Sequence, residues 1–416
     1  MSFDLLNLDA RIRDNIRTLG YELPTPIQRK AIPAILEGRD VIGLAQTGTG
    51  KTAAFGIPML HRLVGGPRHQ LRMLVIGPTR ELAEQTREAL DRLGARTALH
   101  CVTIYGGVSM RPQISSLRSG AEIVIACPGR LLDHVRQNTI NLSNVEVLVL
   151  DEADRMFDMG FLPDIRKILA RLPARRQTLL FSATMPNEIR ALVHDFLRDP
   201  ATLQMAFSKP AESVSHALYP VADTQKTALL TALLERTDRE SVLVFTRTKH
   251  RAKRLAAHLD KAGHRATSLQ GNMSQGQRKK AMDGFRSGQF QVLVATDLAA
   301  RGIDVSSISH VVNFDMPRTV DDYTHRIGRT GRAAKTGDAF TFVTPEDEGG
   351  VRGIERVLGA KIERRKLADF DYAAVPPGAP HARGPRPQAG GHAKPRHPAA
   401  AGKGSARSFA PRNRRK

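Results

Sequence analysis

The chain has few cysteines, no tryptophan and no long apolar run. Its two cysteines, Cys101 and Cys127, are too few for a disulfide framework and lack the spacing of a metal site. No segment approaches the roughly 18 consecutive apolar residues that mark a membrane-spanning helix. The N-terminal segment carries acidic side chains and no long apolar core, unlike a signal peptide. Together these absences predict a soluble protein of a reducing, cytoplasmic compartment.

Acidic residues are scarce relative to basic ones. The 416 residues include 63 Lys and Arg against 41 Asp and Glu, a formal charge of +22. This imbalance favours a polyanionic partner, and nucleic acid is the first candidate. An anionic membrane surface is the alternative, but no amphipathic basic helix is long enough to favour it. Because tryptophan is absent, any stacking on nucleobases has to use Tyr, Phe or Arg side chains.

A chain of this length exceeds one hydrophobic core, and its apolar runs alternate with helical patterns. This alternation predicts α/β domains with doubly wound parallel sheets. We assign residues 1–39 to a mainly helical segment, 40–207 to a first domain, 208–217 to a linker and 218–372 to a second domain. Strands of the first domain are predicted at 41–45, 72–77, 99–104, 123–127, 145–150, 177–181 and 201–205. Strands of the second domain are predicted at 241–246, 265–269, 291–296, 309–314 and 338–343.

The composition changes at residue 373. Residues 373–416 are rich in Pro, Gly and Ala and contain ten Lys or Arg but no Asp or Glu. Such a segment cannot bury enough apolar surface to fold, so we predict a disordered basic tail. Removing its ten charges from +22 leaves +12 on residues 1–372, which are therefore basic in their own right. The tail is expected to tether nucleic acid non-specifically; a purely solubilising tail is the alternative.

The most informative segment is AQTGTGKT, from Ala45 to Thr52. It follows an apolar run and precedes a helical pattern, as the phosphate loop of an NTPase does. Gly48 and Gly50 let successive backbone N–H groups converge on phosphate oxygens. Lys51 would reach the β- and γ-phosphates, and the Thr52 hydroxyl would bind Mg²⁺. The usual pattern has Gly in place of Ala45. A glycine-rich strand–helix turn without a nucleotide is the alternative interpretation.

An acidic motif, DEAD at 151–154, directly follows the apolar run VEVLVL. Ligands of open parallel sheets bind beyond the carboxyl ends of the strands, so an acid at this point indicates a Mg²⁺ site. Asp151 would hold the metal, partly through water, because Mg²⁺ dehydrates reluctantly. Glu152 would orient or deprotonate the attacking water. A solvated acidic turn is the alternative.

A basic glycine-punctuated segment, HRIGRTGR at 325–332, lies in the second domain. Arg329 and Arg332 lie three residues apart and could act as arginine fingers on the transferred phosphoryl group. Such fingers typically contribute about 10³–10⁵ in rate. The residues alone leave a nucleic-acid contact or a solvated basic turn equally open.

These motifs occur in the order found in DEAD-box ATP-dependent RNA helicases of the second helicase superfamily, and the chain resembles that family over about residues 1–345. The second domain is most similar to the bacterial RhlE-type subgroup. The resemblance implies two tandem RecA-like domains. The matching motifs are YELPTPIQ at 21–28, AQTGTGKT at 45–52, PTREL at 78–82, GG at 106–107, CPGR at 127–130, DEAD at 151–154, SAT at 182–184, VFTRT at 244–248, QGNMSQGQR at 270–278, ATDLAARGID at 295–304 and HRIGRTGR at 325–332.

The resemblance implies ATP and Mg²⁺ as ligands and assigns roles around the nucleotide. Gln28 is expected to read the adenine edge, with Tyr21 stacking on the ring and Phe3 supporting the pocket. Asp304 is expected near the ribose. The implied phosphate-loop residues are Ala45, Gln46, Thr47, Gly48, Thr49, Gly50, Lys51 and Thr52. The implied link between nucleotide state and RNA grip is formed by Asp154, Ser182, Thr184 and His325.

The resemblance also implies an RNA path across both domains. Its contacts are expected to be mostly to phosphates and 2′-hydroxyls, hence independent of base sequence. The residues expected along this path are Pro78, Thr79, Arg80, Gly106, Gly107, Pro128, Gly129, Arg130, Arg247, Gly271, Thr296 and Arg301. The family usually has Thr in place of Cys127, so a hydroxyl contact is missing there. A small buried residue is the expected role of Cys127, rather than a reactive thiol.

The resulting hypothesis is an RNA-stimulated ATPase that closes its two domains around ATP and RNA and separates short duplexes without long-range translocation. A DNA translocase of the same two-domain plan is one alternative. A non-enzymatic RNA clamp or annealing chaperone is the other. Ribosomal or RNA-decay machinery is a candidate partner, no membrane is expected, and a monomer is the expected state.

Overall fold

The computed structural model describes residues 2–45, 48–205, 214–236, 241–300, 308–331 and 336–373. These residues belong to one compact unit that spans Met1–Ala374. We call 2–205 the first lobe and 214–373 the second lobe. The basic tail, apart from residue 373 itself, lies outside the described residues. None of the described helices is both long and apolar enough to cross a lipid bilayer.

The first lobe is built on a seven-stranded sheet in which every pairing is parallel. Its order is β3-β4-β2-β5-β6-β1-β7. The strands are β1 (Val41–Leu44), β2 (Met73–Ile76), β3 (Cys101–Ile104), β4 (Ile123–Ala126), β5 (Val147–Leu150), β6 (Gln177–Ser182) and β7 (Ala201–Gln204). The helices are α1 (Ala10–Thr18), α2 (Pro26–Leu36), α3 (Lys51–Val64), α4 (Arg80–Leu93), α5 (Met110–Arg118), α6 (Pro128–Arg136), α7 (Ala153–Asp158), α8 (Leu162–Leu169) and α9 (Asn187–Phe196).

Both faces of this sheet are buried. Successive side chains of a strand point to opposite faces, so a sheet covered by helices on both sides needs continuous apolar strands. In β5, Val147 and Val149 pack into one core cluster and Leu148 and Leu150 into another. All four side chains are at most 1% exposed. The continuous apolar runs in the sequence therefore reflect burial from two sides.

The second lobe repeats this plan, with a parallel sheet of order β10-β11-β9-β12-β13-β8-β14. Its strands are β8 (Val214–Pro220), β9 (Val242–Thr246), β10 (Ala266–Leu269), β11 (Val292–Thr296), β12 (His310–Asn313), β13 (Gly337–Val343) and β14 (Glu363–Arg364). Its helices are α10 (Lys226–Arg236), α11 (Lys249–Lys261), α12 (Gln275–Arg286), α13 (Asp297–Ala300), α14 (Val320–Ile327) and α15 (Glu348–Leu358). The prediction of two doubly wound parallel sheets is confirmed, as are all twelve predicted strands, to within two residues at each end.

The predicted linker requires a correction. Strand β8 begins at Val214, inside the stretch 208–217, and pairs along its length with β13. Ser215 is exposed and His216 is half-buried, so polar side chains interrupt the apolar pattern at the start of the strand. Residues 214–217 are therefore part of the second sheet, and residues 208–213 lie outside the described residues.

Candidate functional site

The strand order of the first lobe brings three sequence motifs together. Strand β6 lies between β5 and β1, so the loops that follow these three strands are neighbours. The N–H of Ala45, after β1, donates to the carbonyl of Ser182, at the end of β6, at 3.0 Å. Asp151 directly follows β5. The phosphate loop, the DEAD motif and the SAT motif therefore lie side by side at one edge of the sheet.

The described part of the phosphate loop has the backbone that an anion site requires. Gly48 and Gly50 have φ values of 86° and 91°. Residues with a Cβ rarely adopt this region of backbone conformation. Helix α3 begins at Lys51, so its free N–H groups face the loop. The Lys51 ammonium group is buried and donates to the carbonyl of Ala45 at 3.1 Å. Gln46 and Thr47 lie outside the described residues, whereas Thr49 and Thr52 are at the expected positions.

Gln28 connects the N-terminal segment to this loop. Its Oε1 accepts the N–H of Thr25 at 2.9 Å, and its Nε2 donates to the carbonyl of Gly50 at 3.1 Å. The Thr25 hydroxyl donates to the carbonyl of Thr49 at 2.9 Å. A carboxamide has two N–H donors and two acceptor lone pairs, so one of each remains for an adenine edge. Gln28 is 1% exposed, and these bonds fix its orientation.

Phe3 and Tyr21 form the aromatic part of this region. Their ring centroids lie 6.2 Å apart in an edge-to-face arrangement. Phe3 is buried at 3% exposure, whereas Tyr21 is half-buried. The buried ring therefore supports the more accessible one, which is the arrangement expected of a stacking platform.

Asp151 and Glu152 are carboxylates buried at the end of β5, with 3% and 4% exposure. Burial raises the pKa of Asp151 to about 6, against the opposing charge of Lys51. Glu152 has φ 52°, a strained conformation for a residue with a side chain. No cluster of three His, Cys, Asp or Glu that could enclose a metal exists among the described residues. Asp151 and Thr52 offer oxygen donors, the type of ligand that Mg²⁺ prefers, and Mg²⁺ usually keeps several waters and binds substrate phosphates besides one or two carboxylates.

Asp154 joins the DEAD and SAT motifs. Its Oδ2 accepts the N–H groups of Ala183 and Thr184 at 3.0 and 2.8 Å and the Thr184 hydroxyl at 3.1 Å. The N–H of Asp154 donates to the hydroxyl of Ser182 at 3.1 Å. Three of the four residues predicted to couple the motifs, Asp154, Ser182 and Thr184, are thus in direct contact. These bonds tie the two loops to each other.

The fourth coupling residue, His325, lies in the second lobe. It lines a small pocket together with Arg329 and with Arg155 of the first lobe. The nearby Asp321 has a raised pKa because part of its hydration is lost and because the charge of Asp154 lies close to it. Helix α14 of the second lobe therefore faces the DEAD motif of the first lobe across the cleft between the two lobes. Arg332, Asp304 and Arg301 lie outside the described residues.

Arg326 is a residue that sequence reasoning missed. Its guanidinium forms two bonds to the Asp297 carboxylate, at 2.6 and 2.7 Å. It also donates to the side chain of Asn313 and the carbonyl of Asp315, and it lies 5.0 Å from the centre of the Phe245 ring. Although Arg326 belongs to the basic segment 325–332, its side chain is only 3% exposed. It therefore links elements inside the second lobe. The sequence gives no signal for this structural role, because Arg326 and Arg329 look alike in the segment 325–332.

The predicted RNA path of the first lobe surrounds two glycines. Gly107 has φ 78°, and a Cβ there would lie 2.6 Å from the Arg80 guanidinium. Arg130 donates twice to the carbonyl of Val108, at 3.1 Å each, and so fixes the same loop. Arg80 and Arg130 are partly exposed beside it. This loop therefore places two arginines where a phosphate backbone could reach them.

The other predicted path residues differ in exposure. Pro78, Thr79 and Pro128 are buried at the starts of α4 and α6, where they shape the helix ends. Accessible or partly accessible positions on the path are Gly106, Gly129, Arg247, Gly271 and Thr296.

Cys127 precedes helix α6 in the N-cap position and forms no side-chain capping bond there. It is 9% exposed, and burial raises the pKa of its thiol to about 12. The expectation of a small buried residue rather than a reactive thiol is confirmed.

The two lobes contact each other through a buried ion pair. Arg278 of α12 lies 2.6 Å from Glu81 of α4, and their side chains are 8% and 12% exposed. Arg278 also donates to the carbonyl of Gln270. Beside it, Arg80 donates to the side chain of Gln275 at 3.4 Å. The sequence motifs contained all four charged and polar partners, but nothing in them indicated the pairing.

Comparisons with known proteins agree with this geometry. The family model for DEAD/DEAH box helicases matches residues 25–192, and that for the helicase conserved C-terminal domain matches residues 225–334. The DEAD-box ATP-dependent RNA helicase CshA of Geobacillus kaustophilus is 44% identical over 373 residues, which cover 89% of this chain and 80% of the relative. The relatives carry the name CshA, and the RhlE-type subgroup stays a prediction.

Solved structures add information on the lobes. Dbp5 of S. cerevisiae bound to RNA and ADP BeF3 is 30% identical, with a TM-score of 0.78 over 88% of this chain and 95% of that one. A DEAD box protein from Methanococcus jannaschii is 38% identical and has a TM-score of 0.51 over 88% and 99%. Dbp5, which has the lower sequence identity of the two, thus has the higher TM-score.

Proposed function

The chain belongs to the DEAD-box family of ATP-dependent RNA helicases, and from this premise we propose that ATP hydrolysis in the cleft between the lobes drives local, non-processive separation of short RNA duplexes. The observation that carries the proposal is the divided site. The first lobe contributes the phosphate loop and the buried acids, and the second contributes Arg329 and His325 opposite the DEAD motif. Only the closed pair of lobes contains the whole set.

The nucleotide site has a distinct role for each group of residues. The loop from Ala45 to Thr52 would bind the phosphates, with Lys51 moving from the carbonyl of Ala45 to the β- and γ-phosphates. Gln28 and Tyr21 would hold the adenine. Asp151 and Thr52 would hold Mg²⁺, which neutralises charge on the phosphates when bound. Glu152 would accept the proton of the attacking water.

RNA would lie across both lobes and favour the same closed arrangement as ATP. Two ligands that stabilise one state bind cooperatively, and each raises the affinity of the other by the same factor. The contacts of Asp154 with the SAT motif would lie between the nucleotide and the RNA path. Through these contacts, a change at the nucleotide would alter the positions of the RNA-binding residues. Release of the products would reopen the cleft and free the RNA.

The test is the ATPase rate of the purified chain with Mg²⁺, measured with and without single-stranded RNA at low salt. RNA should raise the rate, and DNA of equal length should not. Equal stimulation by DNA would indicate a translocase instead. Strand separation of a short duplex should need ATP and be lost in Lys51→Ala. Annealing that persists in Lys51→Ala without any ATP-dependent separation would favour a chaperone. An ATPase rate unchanged by RNA would contradict the proposal.

Further parts of the proposal concern the cellular context. We infer a monomer that acts on RNA in the cytoplasm, in association with ribosomal or RNA-decay machinery. The proposed domain limits are 40–207 and, with strand β8 included, 214–372, flanked by the N-terminal segment and the basic tail. Sedimentation of the full chain with and without RNA would test the monomer. Crosslinked RNA recovered from cells would identify the targets.

The ion pair between Arg278 and Glu81 gives a specific prediction. Arg278→Ala should weaken RNA binding in the presence of a non-hydrolysable ATP analogue by at least about tenfold. The physical reason is that Glu81 keeps its charge at the closed interface without its partner, which typically costs about 2–5 kcal/mol. Fluorescence anisotropy with labelled RNA measures the effect. Binding without the nucleotide should change much less, because the closed arrangement is then less populated.

Arg286→Ala is the matched control. Arg286 lies on the same helix, is exposed and has only a 3.9 Å contact with Asp283. This control should bind RNA as the unmodified chain does, since exposed ion pairs contribute little. Equal affinities of the Arg278 and Arg286 variants would show that the ion pair does not stabilise closure.

A further inference from the structure

A groove on the second lobe lies outside the site described so far. It runs beside β10, the edge strand of the second sheet, between α11 and α12. Its volume is about 510 Å³, within the range of roughly 300–1,000 Å³ typical of ligand sites. We call it the basic groove and define it by Lys249, His250, Lys253, Asn272, Lys280 and Phe290.

The charge of the basic groove is of one sign. No Asp or Glu lines it, and within the described part of the chain no carboxylate pairs with Lys249, Lys253 or Lys280. All three lysines are exposed. Unpaired cations on the walls of one groove attract an anion along its length, because their fields add. The groove is therefore suited to an extended polyanion.

The first lobe provides an internal comparison. A groove of about 400 Å³ lies beside β3, the equivalent edge strand of the first sheet. Arg87 is the only Lys or Arg among its lining residues. Arg87 lies 3.1 Å from Glu84 and 2.6 Å from Asp91, so its charge is already compensated. The accumulation of unpaired lysines is thus a property of the second lobe and not a consequence of the fold.

The basic groove also contains an aromatic ring. Phe290 is half-buried and packs against Gly284 of α12, where an added Cβ would lie 2.6 Å from the ring. The ring is held by this close contact and lines the groove. Proteins that bind single-stranded nucleic acid combine a cationic groove for the backbone with aromatic rings for the bases.

The groove is continuous with the predicted RNA path. Lys249 follows Arg247 by two residues, and its ammonium group donates to the side chain of Asn272 at 3.0 Å. Asn272 follows Gly271, and its N–H donates to the side chain of Gln270, another lining residue, at 2.7 Å. One end of the groove therefore lies next to two of the predicted path positions of this lobe, Arg247 and Gly271.

We propose that the basic groove binds the sugar–phosphate backbone of an RNA strand where it extends beyond the cleft between the lobes, with a base against Phe290. This inference rests on the proposed function, since it assumes that RNA occupies the cleft. Binding would be independent of base sequence, because lysines contact phosphates and rings stack on any base. An acidic peptide added to the edge strand is the other occupant that the charge allows. Continuity with the RNA path favours RNA.

The test compares RNA lengths in the full chain. Lys253→Ala combined with Lys280→Ala removes two charges from the far part of the groove, away from the predicted path. At about 0.1 M salt, the double variant should bind an oligouridylate of about 20 nucleotides roughly tenfold more weakly. The slope of log affinity against log salt should fall by about 1.4, for two lost phosphate contacts at roughly 0.7 each. Binding of an oligomer of about eight nucleotides should stay within about twofold.

Lys261→Ala with Lys361→Ala is the matched control, since both lysines are exposed and neither lines the groove. This control should leave the affinity for both RNAs unchanged. Equal binding of the long RNA by the two double variants would overturn the proposal. Loss of binding to a Glu-rich peptide, with RNA binding intact, would overturn it in favour of a peptide site. ATPase stimulation by the short RNA should persist in every variant. Its absence from the unmodified chain would instead contradict the proposed function.

Discussion

Replacing Glu152 with glutamine should lower ATP turnover by about 10²–10⁴, the usual contribution of a general base. ATP and RNA should still bind, because the amide has the same shape and the phosphate loop is untouched. Glu152 is 4% exposed, follows Asp151 at the end of β5 and lies beside the loops that would hold the γ-phosphate. A neutral amide cannot accept the proton of the attacking water. The measurement is the RNA-stimulated ATPase rate, with binding of ATP and RNA followed separately.

The backbone of Glu152 explains why glutamine is the informative replacement. At φ 52° the residue is in the left-handed region, which typically costs about 1–3 kcal/mol for a residue with a side chain. Glycine would remove both the carboxylate and this strain, so stability and chemistry would change together. Glutamine keeps the strain and changes only the chemistry. The thermal midpoint of Glu152→Gln should therefore stay close to that of the unmodified chain.

Glu188→Gln is the control for this prediction. Glu188 lies in the first turn of α9, is exposed and undergoes the same change of charge. Its variant should hydrolyse ATP at the unmodified rate. If Glu152→Gln retained full turnover, Glu152 would have no role as a base, and another group would have to activate the water.

The strands were predictable because burial on both faces leaves a local signal. A strand such as β5 has to be apolar at every position, and VLVL is visible without any knowledge of its neighbours. Strand β8 was missed because it lacks this signal. Its burial alternates at the start, with Ser215 exposed, and its partner β13 lies more than 100 residues further along the chain. The pairing with this distant strand stabilises β8, although the local sequence of β8 does not indicate a strand.

The same reasoning applies to the site. Residues that follow buried strands were located correctly, because parallel strands end at one edge of the sheet. Whether Ala45, Asp151 and Ser182 lie close to one another then depends only on the order of the strands in the sheet. The contact between Arg278 and Glu81 joins residues 197 positions apart in different lobes. No periodicity or composition relates them, so only the folded arrangement shows the pair.

Arg329 and Arg326 show how two arginines three residues apart acquire different functions. Arg326 is held by the partly exposed Asp297 and by the buried Asn313, and its removal would leave the side-chain oxygen of Asn313 without this donor. That change should destabilise the second lobe by about 1–3 kcal/mol, the usual cost of an unsatisfied buried polar group. Arg329 lines the same pocket, together with Arg155 of the first lobe. Because the guanidinium of Arg326 is already engaged by Asp297, Asn313 and the carbonyl of Asp315, we assign Arg329, and not Arg326, to the transferred phosphoryl group.

Arg329→Ala should lower the RNA-stimulated ATPase rate by about 10³–10⁵, the range typical of a lost arginine finger. ATP binding should change little, because the first lobe holds the phosphates. Arg329→Lys should also be strongly impaired, since an ammonium group lacks the planar fork that binds two oxygens together. Single-turnover hydrolysis with saturating RNA measures the effect on the chemical step.

The controls separate a catalytic role from a structural one. Arg352→Ala removes an exposed arginine from α15 and should leave the rate unchanged. Arg326→Ala should lose thermal stability, whereas Arg329→Ala should lose turnover while keeping a cooperative unfolding transition and its affinity for ATP. If Arg329→Ala lost stability and activity in the same proportion as Arg326→Ala, Arg329 would contribute structure but no charge to the reaction. The divided site would then have to be completed by Arg332 alone.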